Sequence, residues 1–205
     1  MQRTSATSVA PGPTVAVLGA SDAYGIGTRD PDRENWPMQL AAELPQPTHL
    51  VNLAIPGVTL AQAQVEELPI ALAQHPRIIV IWLVVNDIIK GVPLATYSAE
   101  LHATLAAIKA ASPQTQVFVG NVPDLTQIPY FYDRSATELS VDVNAWNAAI
   151  AQECQADGAH LADLASAWGR FADHPDYISE DGLHPSDAGA RALADFFNAQ
   201  IRRTI

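Results

Sequence analysis

The stretch RIIVIWLVV, Arg77 to Val85, decides the fold. It is β-branched and aromatic with scarcely a polar interruption, as expected of a central parallel strand buried on both faces. Working outward, TVAVLG (Thr14 to Gly19) is another short apolar run, ended by glycine. HLVNLA (His49 to Ala54), QVFVG (Gln116 to Gly120) and AHLA (Ala159 to Ala162) complete the expected set of strands. Helical stripes accompany them: Ala61, Val65, Leu68 and Leu72; Tyr97, Leu101, Leu105 and Ile108; Val143, Trp146, Ile150 and Cys154; then Leu193, Phe196, Phe197 and Ile201. Pro69 has no amide hydrogen, so the first of these helices is expected to kink or end there. Strands alternating with helices of this length need crossover connections, which makes the fold α/β with a parallel, doubly wound sheet.

A chain of 205 residues with 48% hydrophobic content can bury one substantial core. Residues 1–13, rich in Ser, Thr, Pro and Ala and without periodicity, are expected to be a flexible leader, and residues 14–205 one catalytic domain. Eleven basic residues against 22 acidic ones leave a net charge of -11, which repels phosphate backbones and anionic membrane surfaces and argues against nucleic acid as a partner. The first thirteen residues lack a charged stretch followed by an apolar run of signal-peptide length, and no apolar stretch approaches the ~20 residues of a membrane span. Cys154, the only cysteine, cannot form an intrachain disulfide. Together these features lead us to expect a soluble, cytoplasmic protein. They leave its oligomeric state open.

In an open parallel sheet, ligands bind beyond the carboxyl ends of the strands. Those ends carry chemistry here: the first strand runs into Gly19-Ala20-Ser21-Asp22, the second into Pro56-Gly57, and the central one into Asn86-Asp87. The last is followed at a distance by Asp181-Gly182-Leu183-His184-Pro185-Ser186. A serine just past a glycine turn can present its hydroxyl at the rim, although the same pattern also serves as an ordinary turn and helix cap. A nucleophilic serine needs a base, and the base needs a group to orient it; His184 and Asp181, three residues apart in a loop with Gly182, can supply both. Gly57 offers an approachable backbone N–H and Asn86 a side-chain amide, the donors that a developing oxyanion requires.

Taken together and in this order, the motifs resemble the SGNH or GDSL-like hydrolase family, whose four name residues match Ser21, Gly57, Asn86 and His184. The block Asp181-Gly182-Leu183-His184-Pro185 is intact, and the resemblance spans residues 14 to about 201. Two positions depart from it: Ala20 stands where the family usually has aspartate, and Val84 where it has glycine. The resemblance implies a flavodoxin-like three-layer α/β/α sandwich with a five-stranded parallel sheet, and hydrolysis of a carboxylic ester. It makes Ser21 the nucleophile, His184 the base and Asp181 its orienting partner, with Ser21, Gly57 and Asn86 at the oxyanion. The substrate is then a small-molecule ester, from acyl lipids and lysophospholipids to acetylated sugars. The mechanism requires no metal or organic cofactor.

A competing reading takes the small-residue stretch Ser21 to Thr28 as a phosphate cradle of a flavodoxin-like flavin- or nucleotide-binding module. It leaves the Asp181–His184 block unexplained. A further alternative keeps the hydrolase fold as an inactive binding protein. Residues Asn121 to Ser140 read as a long connection, either a lid or a surface excursion, in which Tyr130, Phe131 and Tyr132 are expected to shape the substrate pocket. His49, His75, His102, His160 and His174 show no metal-ligand spacing and read as surface or capping residues. Cys154 lies on an apolar stripe and reads as core.

Overall fold

The computed structural model describes residues 12–45, 47–167 and 173–204, so most of the expected leader lies outside the described residues. Strands β1 (Thr14–Gly19), β2 (His49–Asn52), β3 (Ile78–Trp82), β4 (Gln116–Gly120) and β5 (His160–Ala162) form one five-stranded sheet in the order β2-β1-β3-β4-β5, and every neighbouring pair is parallel. Helices α1 (Ser21–Tyr24), α2 (Pro31–Glu34) and α3 (Trp36–Glu43) connect β1 to β2. Helices α4 (Leu60–Glu66) and α5 (Leu68–Ala73) precede β3, α6 (Val85–Ile89) and α7 (Leu94–Ala111) precede β4, and α8 (Ala136–Asp157) precedes β5. Helices α9 (Leu164–Ala167) and α10 (Asp187–Arg202) follow it.

Every residue of β3 is buried, and since alternate side chains point to opposite faces, both faces of the sheet are covered. In one helical pair, Trp36 of α3 stacks on Phe197 of α10 with ring centroids 4.8 Å apart. In another, Tyr97 of α7 meets Trp146 of α8 at the same separation. The stripes expected on α7, α8 and α10 are buried at every named position, Cys154 among them, whose thiol burial pushes up to about 12. None of the described helices is long and apolar enough to cross a membrane.

Three expectations need correction. The central strand stops at Trp82 rather than Val85: Leu83 and Val84, beyond the last sheet pairing, are also buried in the core and line the cavity, so the apolar run outlasts the strand. The stripe Ala61–Val65–Leu68–Leu72 holds only at Leu68: Val65 is 76% exposed, and the buried apolar positions are Leu60, Ala63, Leu68 and Ala71. Its 3.6-residue period fails because the segment is two helices that break at Glu67, with Pro69 in the first turn of α5, where a missing amide hydrogen costs little. The connection after β4 is shorter than expected. It holds two 3₁₀ turns, Leu125–Gln127 and Pro129–Phe131, and α8 begins at Ala136.

The aromatic contact between α3 and α10 closes one helical layer over the sheet, and Phe197 is fully buried within it. Phe197→Ala is expected to lower unfolding free energy by about 3–5 kcal/mol, the usual cost of deleting a buried aromatic ring. Urea denaturation followed by circular dichroism measures it.

Candidate active site

β1 delivers Gly19 to the rim, Ala20 leaves strand geometry with φ -117° and ψ -145°, and Ser21 opens α1. Gly19 has to be glycine, because a Cβ there would stand 2.5 Å from the Cβ of Ala23 in α1. Farther along, Gly27 adopts φ +98°, and a Cβ on it would lie 2.4 Å from Pro185 O and 2.9 Å from His184 Cβ. The loop after α1 therefore packs on the histidine segment at Gly27, a residue of the stretch that the competing reading takes as a phosphate cradle.

The histidine segment is a small closed loop. Ile178 and Pro185 form an antiparallel bridge, Ser179 N–H donates to His184 O at 2.8 Å, and Gly182 turns the chain with φ +76°. Inside the turn, Asp181 Oδ1 accepts the amides of Leu183 (2.8 Å) and His184 (2.9 Å). Its Oδ2 lies 2.7 Å from His184 Nδ1, and His184 Nε2 lies 2.8 Å from Ser21 Oγ. Desolvation pushes the Asp181 carboxyl upward, but the two amide hydrogen bonds and that of the imidazole outweigh it and hold the group at about 2. An ionised carboxylate only accepts, so Nδ1 carries the proton and Nε2 is the acceptor for the Ser21 hydroxyl.

α6 and the residue that caps it hold the other rim loop with three contacts. The Asn86 side-chain amide donates to Val58 O at 2.9 Å, the buried Asp87 carboxylate accepts Leu60 N–H at 3.2 Å, and Lys90 Nζ donates to Gly57 O at 2.5 Å. Gly57 itself adopts φ +81°, a conformation that L side chains rarely take. Its loop runs beside β1 past the end of β2, since Leu53 N–H donates to Val17 O and Ile55 N–H to Gly19 O. Asn86 uses one of its two amide hydrogens on Val58 and also lines the cavity beside Ser21.

A cavity of about 60 Å³ opens on Ser21, Asn86 and His184. Its remaining wall is nearly all apolar: Trp82, Leu83, Val84 and Val85 from the end of β3, Pro123, Leu125 and Ile128 after β4, and Ile178, Leu183 and Pro185 around the histidine. Both departures from the family pattern, Ala20 and Val84, lie in this wall. Gly57 does not line it. Nor do Tyr130, Phe131 and Tyr132: Phe131 is buried, while Tyr130 and Tyr132 are more than half exposed. The 3₁₀ turns explain this, because at three residues per turn Val122, Leu125, Ile128 and Phe131 fall on one inward side. Tyr130 N–H instead braces the histidine loop by donating to Gly182 O at 3.0 Å.

Two carboxyl groups escaped sequence reasoning. Asp22, next to Ser21, lines the cavity and accepts Trp36 Nε1–H at 3.0 Å. Burial pushes it up to about 6, against the Trp36 hydrogen bond. Glu67, fully buried between α4 and α5, accepts Gly19 N–H at 3.0 Å. Far from the cavity, His102 of α7 joins Glu153 and Asp157 of α8, with ligand-capable atoms all within 4.8 Å of one another. That grouping bridges two helices and is invisible to spacing along either one; His102 Nδ1 there pairs with Asp157 at 2.8 Å.

The fold recurs among solved structures, two of those below being esterases. The crystal structure of TesA superposes with a TM-score of 0.72 at 21% identity, covering 94% of this chain and 99% of the other. The psychrotrophic esterase EstA from Pseudoalteromonas sp. gives 0.73 at 20% identity, covering 94% and 98%. The acetyl xylan esterase AlAXEase gives 0.73 at 16%, covering 94% and 100%. No curated protein matches the chain by sequence. The sequence model of the GDSL-like Lipase/Acylhydrolase family matches residues 17–192, the greater part of the chain. The chain thus belongs to the GDSL-like lipase/acylhydrolase family, and its activity is ester hydrolysis.

Proposed function

We propose that the protein is a serine esterase, acting as one catalytic domain, that cleaves a carboxylic ester through an acyl-enzyme on Ser21. The observation that carries this reading is the unbroken chain from Asp181 through His184 to Ser21, with contacts of 2.7 and 2.8 Å at the mouth of an apolar cavity. Ser21 Oγ attacks the ester carbonyl as its proton passes to His184 Nε2. The C–O bond to the alcohol then breaks, and His184 returns the proton to the leaving oxygen. Water attacks the acyl carbon by the same base, releasing the acid and restoring the serine. The Ser21 and Gly57 N–H groups and the second Asn86 amide hydrogen receive the oxyanion, and ionised Asp181 stabilises the imidazolium. In line with this reading, the structural relative EstA has been solved inhibited by monoethylphosphonate. The apolar wall suits an aliphatic acyl group rather than a charged or sugar-like one.

Ser21→Ala is expected to lower ester turnover by about 10⁴-fold or more, His184→Ala nearly as much, and Asp181→Ala less, because it orients and stabilises rather than transfers a proton. Circular dichroism should show all three folded; full turnover in folded Ser21→Ala contradicts the assignment.

Asn86→Ala is expected to lower kcat by about a hundredfold to a thousandfold with little change in KM, the pattern of a donor used mainly in the transition state. Steady-state kinetics on p-nitrophenyl esters separates this from a loss confined to KM, which would make Asn86 a ground-state binding group.

Leu125→Ala with Ile128→Ala is expected to shift preference toward longer acyl chains by enlarging the wall that faces Ser21. An unchanged ranking of acetyl, butyryl and octanoyl esters places the acyl group elsewhere.

A further inference from the structure

The turn that presents Ser21 is held from behind by a residue outside the proposed catalytic set. Gly19, two residues before the serine, directs both backbone groups toward the β2 side, as residues of a strand do. Its carbonyl accepts Ile55 N–H at 3.2 Å, continuing the ladder. Its amide goes to a side chain instead, Glu67 Oε2, at 3.0 Å. Glu67 comes from the break between α4 and α5 and is fully buried, and its Oε1 has no hydrogen-bond partner among the described residues. A carboxyl group in such a place is costly unless it does something for its one partner. That partner belongs to the nucleophile turn, where Ala20 has removed the carboxylate that the family usually carries beside the serine.

We propose that Glu67 is a positioning residue for Ser21, fixing the Gly19 peptide from behind so that the serine hydroxyl meets His184 Nε2 and the serine amide faces the oxyanion. The proposal rests on Ser21 being the nucleophile. The charge state of Glu67 follows from its surroundings. Burial, above all, pushes it up to about 8 against the hydrogen bond of the Gly19 amide, and the negative charges of Asp22 on α1 and Glu66 on α4 push the same way. Protonated Glu67 supports the turn without adding charge. Ionised Glu67 adds a negative charge beside the place where the oxyanion forms, and kcat falls. The same shift reaches stability. Relative to the ordinary 4.5, the folded state holds this proton more tightly, so its contribution is fully present below 4.5 and is lost as pH rises through about 8.

The test is kcat and KM for p-nitrophenyl butyrate from pH 5 to 10, with urea stability over the same range, for the full chain and its Glu67→Gln, Glu67→Ala and Ser21→Ala variants. Glu67→Gln keeps a neutral acceptor for Gly19; its kcat at pH 7 is expected within about threefold of the original, with the decline above pH 8 removed and a flatter fall in stability between pH 5 and 8. Glu67→Ala leaves the Gly19 amide unpaired, and its kcat is expected to fall about tenfold to a hundredfold with KM nearly unchanged. An original alkaline decline in Glu67→Gln overturns the proposal, as does an original kcat in folded Glu67→Ala. Should Glu67→Ala not fold, the Glu67→Gln profile alone decides. Retained turnover in Ser21→Ala removes the serine reading and this proposal with it; loss of turnover there, combined with an unaltered Glu67→Gln profile, overturns only the role of Glu67.

Discussion

Parallel pairing of every neighbouring strand opens all the carboxyl ends on one edge of the sheet, and the groups proposed for catalysis reach that edge from strand ends or from the loops beyond them. Register does the fine work. Gly19 at the end of β1 lies opposite Trp82 at the end of β3, so the turn bearing Ser21 and the segment leading to Asn86 leave the sheet at one level. The ladder from β1 continues past β2 to Ile55 and carries the Gly57 loop to the same place. The histidine loop comes from after β5, farthest from β1 in the sheet, and is held to the segment that follows Ser21 by the packing of Gly27 on Pro185 and His184.

Four carboxyl groups around this edge show how one kind of side chain takes different states in a chain of net charge -11. Asp181, rich in amide donors, is held near 2 and stays charged beside the imidazole. Asp22 and Asp87 are pushed by burial to about 6, and Glu67 to about 8. What separates them is the balance between desolvation and hydrogen bonds to the charged form. Asp181 accepts from two amides and a ring; Glu67 has mainly one amide and faces other negative groups. The edge thus holds a fixed charge beside the imidazole, at Asp181, and in Glu67 an acid that keeps its proton up to about pH 8.

Much of this was legible in the sequence. Apolar runs bounded by glycine located β1 and β4 to the residue, and long stripes with a clean helical period located α7, α8 and α10 on their buried faces. The grouping of Ser21, Asn86, Asp181 and His184 at one edge followed from what succeeds each strand. Legibility failed where burial has more than one cause. Leu83 and Val84 are buried beyond the last sheet pairing and line a cavity, so hydrophobicity alone could not end β3 at Trp82. The segment around Val65 has two short helices instead of one period. The aromatics Tyr130 and Tyr132 drew attention by chemical type, whereas the wall is set by a three-residue repeat, Leu125 and Ile128, that a search at helical period passes over. Glu67 was missed because a glutamate in a helical stretch ordinarily faces water; its one signal is its place two residues before Pro69, at the break between two helices.

The central claim, that the hydrogen-bonded chain ending on Ser21 makes this hydroxyl the nucleophile, is tested most directly by inactivating the protein with a fluorophosphonate and locating the adduct by peptide mass spectrometry. The account predicts one phosphonyl group per chain, on the peptide containing Ser21, appearing in step with the loss of ester hydrolysis. A stoichiometric adduct on any other residue, or full inactivation with Ser21 unmodified, would contradict it.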